Sequence, residues 1–192
     1  MIKLVLIDGN AVLHRAYHAL PPLTSKDGIQ INAVYGFVSM LFRIITDLKP
    51  THIAVAFDTP KPTFRHAQYV GYQAHRPRMD SELSGQFEIT YKVLSAMGIN
   101  MYSLPGYEAD DVIGTIVQQS GRVEEFKSKS EIVIVTGDRD ILQLVNDELN
   151  IKLYMPVKGL SDAKLYGEHE VFERMGVAPS QIVDYKALAG DS

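Results

Sequence analysis

Three short apolar runs, each followed by an aspartate, constrain the fold of this chain more than any other feature of its sequence. The runs and the aspartates that follow them are 3–7 with Asp8, 53–57 with Asp58, and 132–135 with Asp138. Runs that are continuously apolar, without alternating polar residues, are typical of strands buried on both faces, as in a parallel sheet. The sequence therefore predicts a central, mostly parallel sheet.

Helical patterns lie between these runs. Asn32 is predicted to cap a helix over 33–48. The spacing of apolar residues over 112–117 indicates the buried face of a second helix. Weaker strands are predicted at 99–103 and 151–154. Strands that alternate with helices favour right-handed crossovers and an α/β fold, in which helices flank the sheet.

Composition narrows the class of protein. The 192 residues suit one domain, and the absence of cysteine excludes disulfides, thiolate zinc sites and cysteine nucleophiles. No apolar run approaches the ~18 residues of a membrane span, and the first residues are too few for a signal peptide. We therefore expect a cytoplasmic protein with no membrane partner. The formal net charge of −4 argues weakly against nucleic acid as a partner.

The distribution of charge reverses that argument. The segment 61–79 contains no acidic residue, and its basic and aromatic side chains are Lys61, Phe64, Arg65, Tyr69, Tyr72, Arg76 and Arg78. Basic side chains attract phosphates, and aromatic rings stack on bases. Prolines at both ends argue against one regular element. The pattern predicts a basic insertion after the second strand that contacts nucleic acid.

Carboxylates concentrate where a parallel sheet binds its ligands, beyond the carboxyl ends of the strands. One aspartate in such a place is usually a helix cap, but three at successive strand ends favour a shared site. Two clusters join them, Glu108-Ala109-Asp110-Asp111 at the start of a predicted helix and Asp138-Arg139-Asp140 after the third strand. In extended chain, residues 138 and 140 point the same way, so both carboxylates are expected to face one ligand.

The full set of candidate catalytic residues is Asp8, Asp58, Glu108, Asp110, Asp111, Asp138 and Asp140. Ionised carboxylates in one cleft repel each other, and divalent cations would offset that repulsion. Ligation by oxygen alone favours Mg²⁺ or Mn²⁺. Two such ions about 4 Å apart would stabilise the attacking and leaving oxygens of a phosphodiester. The pattern therefore predicts a metal-dependent phosphodiester hydrolase.

The usual sequence motifs of several other enzyme classes are absent from this chain. The chain has no phosphate-binding Gly-x-x-x-x-Gly-Lys-Ser/Thr loop, no dinucleotide Gly-x-Gly-x-x-Gly, no Gly-x-Ser-x-Gly and no His-Glu-x-x-His. A phosphatase with Asp8 as its nucleophile is an alternative on a similar sheet. Such enzymes usually have a second aspartate two residues later, where this chain has Asn10.

These motifs together resemble the 5′ nuclease (flap endonuclease) domain at the N-terminus of bacterial DNA polymerase I. The matching stretches are 6–10, 32–37, 56–58, 64–66, 105–111, 136–140 and 187–192. They follow the family's order and cover nearly the whole chain, so the resemblance implies one 5′ nuclease catalytic domain over 1–192. It also implies cleavage of DNA flaps and RNA primers during replication and repair, in the bacterial nucleoid. A polymerase domain in the same parent chain is a further partner that the resemblance suggests.

The resemblance assigns roles to particular residues. In that family the seven candidate carboxylates surround two metal ions, and Asp191 matches a further metal ligand near the C-terminus. The stretch 61–91 is similar to the family's helical arch, through which a single-stranded 5′ end threads. Arg65 and Arg76 are then expected to contact phosphates, and Tyr72 is expected to stack on a base.

The chain departs from the family pattern in two places. The family's C-terminal motif runs Gly-Asp-Ser-Ser-Asp-Asn-Ile-Pro-Gly, whereas this sequence ends at Ser192, so a helix–turn–helix that grips the duplex is expected beyond it. The arch usually reads Tyr-Lys-Ala-x-Arg, and here Gln73 stands where the lysine normally approaches the scissile phosphate. The alternative function is therefore a nucleic-acid-binding module of the same fold with weak or no catalysis.

Overall fold

A computed structural model of the chain describes residues 2–69, 71–72, 79–127, 130–158 and 162–190. Three of the predicted site residues, Gln73, Arg76 and Asp191, lie outside these described residues.

The core of the fold is one six-stranded sheet with the order β3-β2-β1-β4-β5-β6. Its strands are β1 (Ile2–Asp8), β2 (His52–Ala56), β3 (Asn100–Tyr102), β4 (Ser130–Val135), β5 (Ile151–Lys158) and β6 (Asp162–Tyr166). Neighbouring strands are parallel throughout, except that β6 pairs antiparallel with β5 at the edge. The prediction of a mostly parallel sheet is confirmed, and all five predicted strands are present.

Helices cover both faces of this sheet, as predicted. They are α1 (Gly9–Ala19), α2 (Asn32–Leu48), α3 (Phe64–Gln68), α4 (Ser81–Ala96), α5 (Ala109–Ser120), α6 (Glu124–Lys127), α7 (Glu168–Met175) and α8 (Ile182–Ala189). Two short 3₁₀ helices, Asp140–Leu144 and Pro179–Gln181, precede and follow the β5–β6 region. Among the described helices, none has both the length and the apolar character needed to cross a membrane.

The continuous apolar runs are explained by burial on both faces of the central strands. In β1, Val5 and Ile7 pack with α1, α2 and α4, whereas Leu4 and Leu6 pack on the opposite face with α5. Successive strand residues point to opposite faces, so a strand covered on both sides needs apolar residues at every position.

The prediction that Asn32 caps α2 is wrong. Ile31 occupies the N-cap position and supplies no side-chain hydrogen bond. The Asn32 amide group instead donates to the carbonyl of Tyr17 at 3.0 Å and accepts from Gln86 Nε2 at 3.1 Å. The cap comes from α4, because Gln86 Oε1 accepts the N–H of Ala33 at 2.8 Å. Packing of three helices therefore overrides the local preference of asparagine for a cap.

The segment after β2 contains α3 and then α4 in its described residues. The α4 helix continues to Ala96, and its side chains at Leu83, Phe87 and Leu94 are buried in the core formed with α1 and α2. The C-terminal part of the predicted 61–91 arch is thus a packed core helix. The arch as a functional unit stays a prediction.

Candidate active site

Asp8 lies at the junction of β1 and α1 and is almost fully buried. Its Oδ1 accepts the N–H of Ala11 at 2.9 Å, which caps α1, and its Oδ2 accepts the hydroxyl of Thr136 at 2.9 Å. Burial raises the pKa of Asp8 to about 6, although these two hydrogen bonds lower it. The charges of Asp58 and Asp138 raise the pKa further, because all three carboxylates lie at the same edge of the sheet. The predicted convergence of the three strand ends is therefore seen.

Asp58 ties the end of β2 to the start of α5. Its Oδ1 accepts the N–H of Ala109, the first residue of α5, at 2.7 Å. Its own N–H donates to Asn10 Oδ1 at 3.0 Å, so α1 joins the same junction. A carboxylate at a helix N-terminus is stabilised by the unpaired N–H groups and by the helix dipole.

The first turn of α5 brings three carboxylates together. One oxygen each from Glu108, Asp110 and Asp111 lies within 4.8 Å of the others. Asp111 Oδ2 accepts the N–H of Glu108 at 3.0 Å, which closes a capping interaction at the helix start. Burial, followed by the charge of Asp111, raises the pKa of Asp110 to about 6, although the Arg65 cation lowers it. We call Glu108, Asp110 and Asp111 the α5 carboxylate cluster.

Arg65 of α3 points into the α5 carboxylate cluster. Its Nη1 and Nη2 each donate to an oxygen of Asp111 at 2.7 Å, and Nη1 also donates to Glu108 Oε2 at 3.1 Å. Burial, the largest single influence, raises the pKa of Asp111, but the Arg65 hydrogen bonds, the Glu108 N–H and the Arg65 charge together lower it more, so the net pKa is lowered. The same ion pair raises the pKa of Arg65.

Tyr72 makes a related contact, because its hydroxyl donates to Glu108 Oε2 at 2.9 Å. Arg65 and Tyr72 are the two predicted DNA contacts within the described residues, and both touch carboxylates of the site. Their predicted contacts with phosphate and base stay predictions.

The loop after β4 turns sharply, so the prediction of extended chain over 138–140 is wrong. Asp138 Oδ1 accepts the N–H of Asp140 at 2.8 Å, and Asp140 begins a 3₁₀ helix. Aspartate side chains commonly close such local turns by bonding to the backbone two residues later. The N–H of Asp138 donates to Thr136 Oγ1 at 3.0 Å, and the Asp140 carboxylate pairs with Lys186 of α8.

Sequence reasoning missed three supporting residues. Thr136 bonds both Asp8 and the Asp138 backbone, Asn10 holds the Asp58 backbone, and Lys186 pairs with Asp140. Thr136 directly follows β4 and Asn10 lies in the first turn of α1, each two residues from a candidate aspartate, and this position could have marked them. Nothing in the local sequence around Lys186 indicates its distant partner.

The donor set of the site fits a hard divalent cation. The candidate ligands supply only carboxylate oxygens, the donors that Mg²⁺ and Mn²⁺ prefer. Asp8 and Asp110 are both deprotonated with difficulty because burial disfavours their charge. A cation beside them would offset that cost, and the residues present therefore suit the metal that the motifs imply.

The fold and the site define a class of α/β proteins with a carboxylate-rich centre at the carboxyl ends of a parallel sheet. Residues 3–176 match the family model described as 5′-3′ exonuclease, N-terminal resolvase-like domain. The chain therefore belongs to the 5′-3′ exonuclease N-terminal domain family, which confirms the resemblance inferred from the motifs.

Relatives and solved structures agree with this family. The chain is 41% identical over 190 residues to DNA polymerase I of Bacillus subtilis, covering 99% of this chain and 21% of the relative. It is 44% identical over 190 residues to DNA polymerase I of Mycobacterium tuberculosis H37Rv, covering 98% and 20%. The chain thus spans about a fifth of these curated relatives.

Two solved structures show the same fold. The T5 D15 protein co-crystallised with metal ions superposes with a TM-score of 0.72 at 18% identity, over 98% of this chain and 66% of that one. Human GEN1 in complex with Holliday junction DNA superposes with a TM-score of 0.55 at 13% identity, over 99% and 45%. At these identities the likeness concerns the fold alone.

Proposed function

We propose that the chain is a metal-dependent, structure-selective 5′ nuclease that hydrolyses phosphodiesters of DNA flaps and of RNA primers. This proposal rests on the α5 carboxylate cluster. The cluster lies at the start of α5, at the carboxyl edge of the sheet, and Asp58 accepts the first N–H of the same helix. Membership of the 5′-3′ exonuclease family supports the reaction, and the DNA-bound structures of related fold support the substrate class.

The proposed metal ligands are the oxygens of Asp8, Asp58, Glu108, Asp110, Asp111, Asp138, Asp140 and Asp191. We propose that the cofactor is Mg²⁺ or Mn²⁺ and that the site binds two such ions. When bound, such ions polarise the phosphodiester and lower the pKa of an attacking water.

The surrounding chain holds the proposed ligands in place. Asp8 is fixed by bonds to both of its oxygens, from Ala11 and from Thr136, and Asp58 is fixed by the start of α5. Ligands held by such supporting bonds lose little freedom when they bind, and this preorganisation favours the transition state.

The proposed substrate is DNA with a 5′ single-stranded flap, or an RNA–DNA primer junction. Arg76 and Gln73, outside the described residues, are proposed to face its phosphates, and the ring of Tyr72 to stack on a base. We also propose that the parent protein carries a polymerase domain, because the relatives are DNA polymerases I of which this chain matches about a fifth. Such a protein would act at the bacterial nucleoid in the cytoplasm.

The test is cleavage of a 5′-labelled flap by this chain in Mg²⁺, in Mn²⁺ and in EDTA. We expect cleavage near the flap junction with either metal and none in EDTA. Asp110→Asn is expected to lower the single-turnover rate by about a hundredfold, which corresponds to a barrier about 3 kcal/mol higher. The matched control is Glu88→Gln, which removes one negative charge from the exposed side of α4. Flap binding without cleavage in both metals would instead establish the nucleic-acid-binding module.

A further inference from the structure

We infer that Arg65 is a positioning residue, whose guanidinium orients Asp111 and Glu108 and supplies the positive charge that holds the α5 carboxylate cluster together before a metal ion binds. This inference rests on the proposed function, because it concerns the same site. It gives Arg65 a role different from the phosphate contact that the family resemblance implies.

The ion pair between Arg65 and Asp111 has a geometry that fixes the orientation of both side chains. The two 2.7 Å bonds from Nη1 and Nη2 to the two oxygens of Asp111 form a bidentate pair, which a planar guanidinium makes and an ammonium does not. The guanidinium also lies over the ring of Phe64, 4.7 Å from its centroid. The side chains of Arg65, Glu108 and Asp111 are 27%, 15% and 21% exposed, so solvent screens the ion pairs between them only in part.

Tyr72 reinforces the same contact from the same segment. Its hydroxyl and Arg65 Nη1 both donate to Glu108 Oε2, at 2.9 and 3.1 Å. Both donors come from the chain between β2 and α4, and the oxygen that they share lies at the start of α5. The segment that enters the predicted arch is thus attached to the proposed metal ligands through side chains.

The charges of these side chains determine how the Arg65 ion pairs affect stability and metal binding. Three carboxylates with oxygens within 4.8 Å of one another repel, and the single charge of Arg65 offsets part of that repulsion in the metal-free protein. A divalent cation bound beside the same carboxylates would be repelled by Arg65. Removing Arg65 should therefore destabilise the metal-free fold and make metal binding tighter. A residue that contacts only DNA phosphates would change neither property.

The first test compares Arg65→Met, Arg65→Lys and the control Lys61→Met, which removes an exposed cation from the same segment. Mn²⁺ affinity is measured by calorimetry without DNA, and thermal unfolding is followed by circular dichroism in EDTA. For Arg65→Met we expect Mn²⁺ to bind about three- to tenfold tighter. In EDTA its Tm should fall by about 4 °C or more. Arg65→Lys should bind Mn²⁺ with an affinity within about twofold of wild type. Its Tm should still be lower than that of wild type, because lysine cannot form the bidentate pair.

A second measurement does not depend on metal. In EDTA, Asp111→Asn alone should lower the Tm, because it leaves Arg65 without its main partner. In the Arg65→Met background the same substitution should lower the Tm less, or raise it, since it then removes repulsion. Additive Tm changes would overturn the inference. Unchanged Mn²⁺ affinity together with weaker flap binding in Ca²⁺ would also overturn it, in favour of a phosphate contact.

The two proposals fail in different ways. Wild-type protein that binds no Mn²⁺ but shows the Arg65–Asp111 coupling in EDTA would remove the proposed metal function and confirm the positioning role. Wild-type protein that binds Mn²⁺ and cleaves flaps, while Arg65→Met leaves both Mn²⁺ affinity and Tm unchanged, would keep the proposed function and reject the positioning role.

Discussion

The side chain of Gln86 caps helix α2 at Ala33, although the two residues lie on different helices. Gln86 Oε1 accepts the N–H of Ala33 at 2.8 Å and of Val34 at 3.3 Å. Its Nε2 donates to Asn32 Oδ1 at 3.1 Å and to the Glu82 carbonyl at 3.2 Å. Gln86 and Asn32 are each 1% exposed. This buried network attaches α4, which ends the predicted arch region, to α2 and to the C-terminal end of α1.

Replacing Gln86 is expected to be costly. Gln86→Ala leaves two buried N–H groups of α2 without an acceptor and opens a cavity, so we expect the free energy of unfolding to fall by about 2–4 kcal/mol. The measurement is urea denaturation of the whole chain. Ser84→Ala, at an exposed position of the same helix, should stay within about 0.5 kcal/mol of wild type. A Gln86→Ala loss as small as the control's would contradict the capping role.

Asp8 is expected to lower stability in the absence of metal. Burial raises its pKa from 3.8 to about 6, so the folded protein binds a proton more tightly than the unfolded chain does. Stability therefore falls as pH rises from about 4 to about 6, and above that range the full cost is present. In EDTA at pH 7.5, Asp8→Asn should raise the free energy of unfolding by about 1–3 kcal/mol.

The stability gain of Asp8→Asn should depend on pH, and this dependence serves as the control. At pH 4.5 the gain should shrink to about 1 kcal/mol or less, because there the Asp8 carboxyl is largely protonated in the folded state. Asparagine keeps an oxygen for the Ala11 N–H, so the cap of α1 survives. An Asp8→Asn variant that is less stable than wild type at pH 7.5 in EDTA would show that the lost hydrogen bonds outweigh the relief of charge.

Asp138 is expected to act on the reaction more than on DNA binding. Asp138→Asn keeps an oxygen that can accept the Asp140 N–H, so the turn and the Tm should be preserved. Loss of one proposed carboxylate ligand would weaken charge stabilisation in the transition state, and we expect the single-turnover rate to fall by about a hundredfold. Flap affinity, measured by fluorescence anisotropy in Ca²⁺, should change less than threefold by this reasoning. A variant that loses affinity and keeps its rate would reverse the assignment.

Gln73 is expected to limit the cleavage rate. A cation beside the scissile phosphate stabilises the charge that develops in the transition state, and a charge-assisted hydrogen bond is roughly twice as strong as the neutral bond that glutamine offers. Gln73→Lys should therefore raise the single-turnover rate by about tenfold or more, with a smaller change in DNA affinity. Equal rates for the two proteins at saturating enzyme would mean that another cation serves this phosphate, and would leave the metal assignment intact.

The sequence by itself determined the sheet and the place of the candidate site. A continuous apolar run such as 4–7 is stable in few contexts other than a strand covered on both faces, and parallel strands bring their carboxyl ends to one edge. The convergence of Asp8 with Asp58 and Asp138 follows from those two facts. The sequence also predicts a helix that begins beside the carboxylates of 108–111, because the apolar residues over 112–117 mark its buried face.

Tertiary structure alone decided which side chain each polar group meets. Asn32 prefers a cap locally, yet it bonds Gln86, 54 residues away, and α2 takes its cap from that glutamine. Arg65 meets Asp111 across 46 residues, and Asp140 meets Lys186 across 46 as well. Periodicity reports which face of an element is buried, but it carries no information on which distant residue packs against that face. Such partners depend on how the helices pack on the sheet, where a buried polar group must find a hydrogen bond or lose the free energy of its hydration.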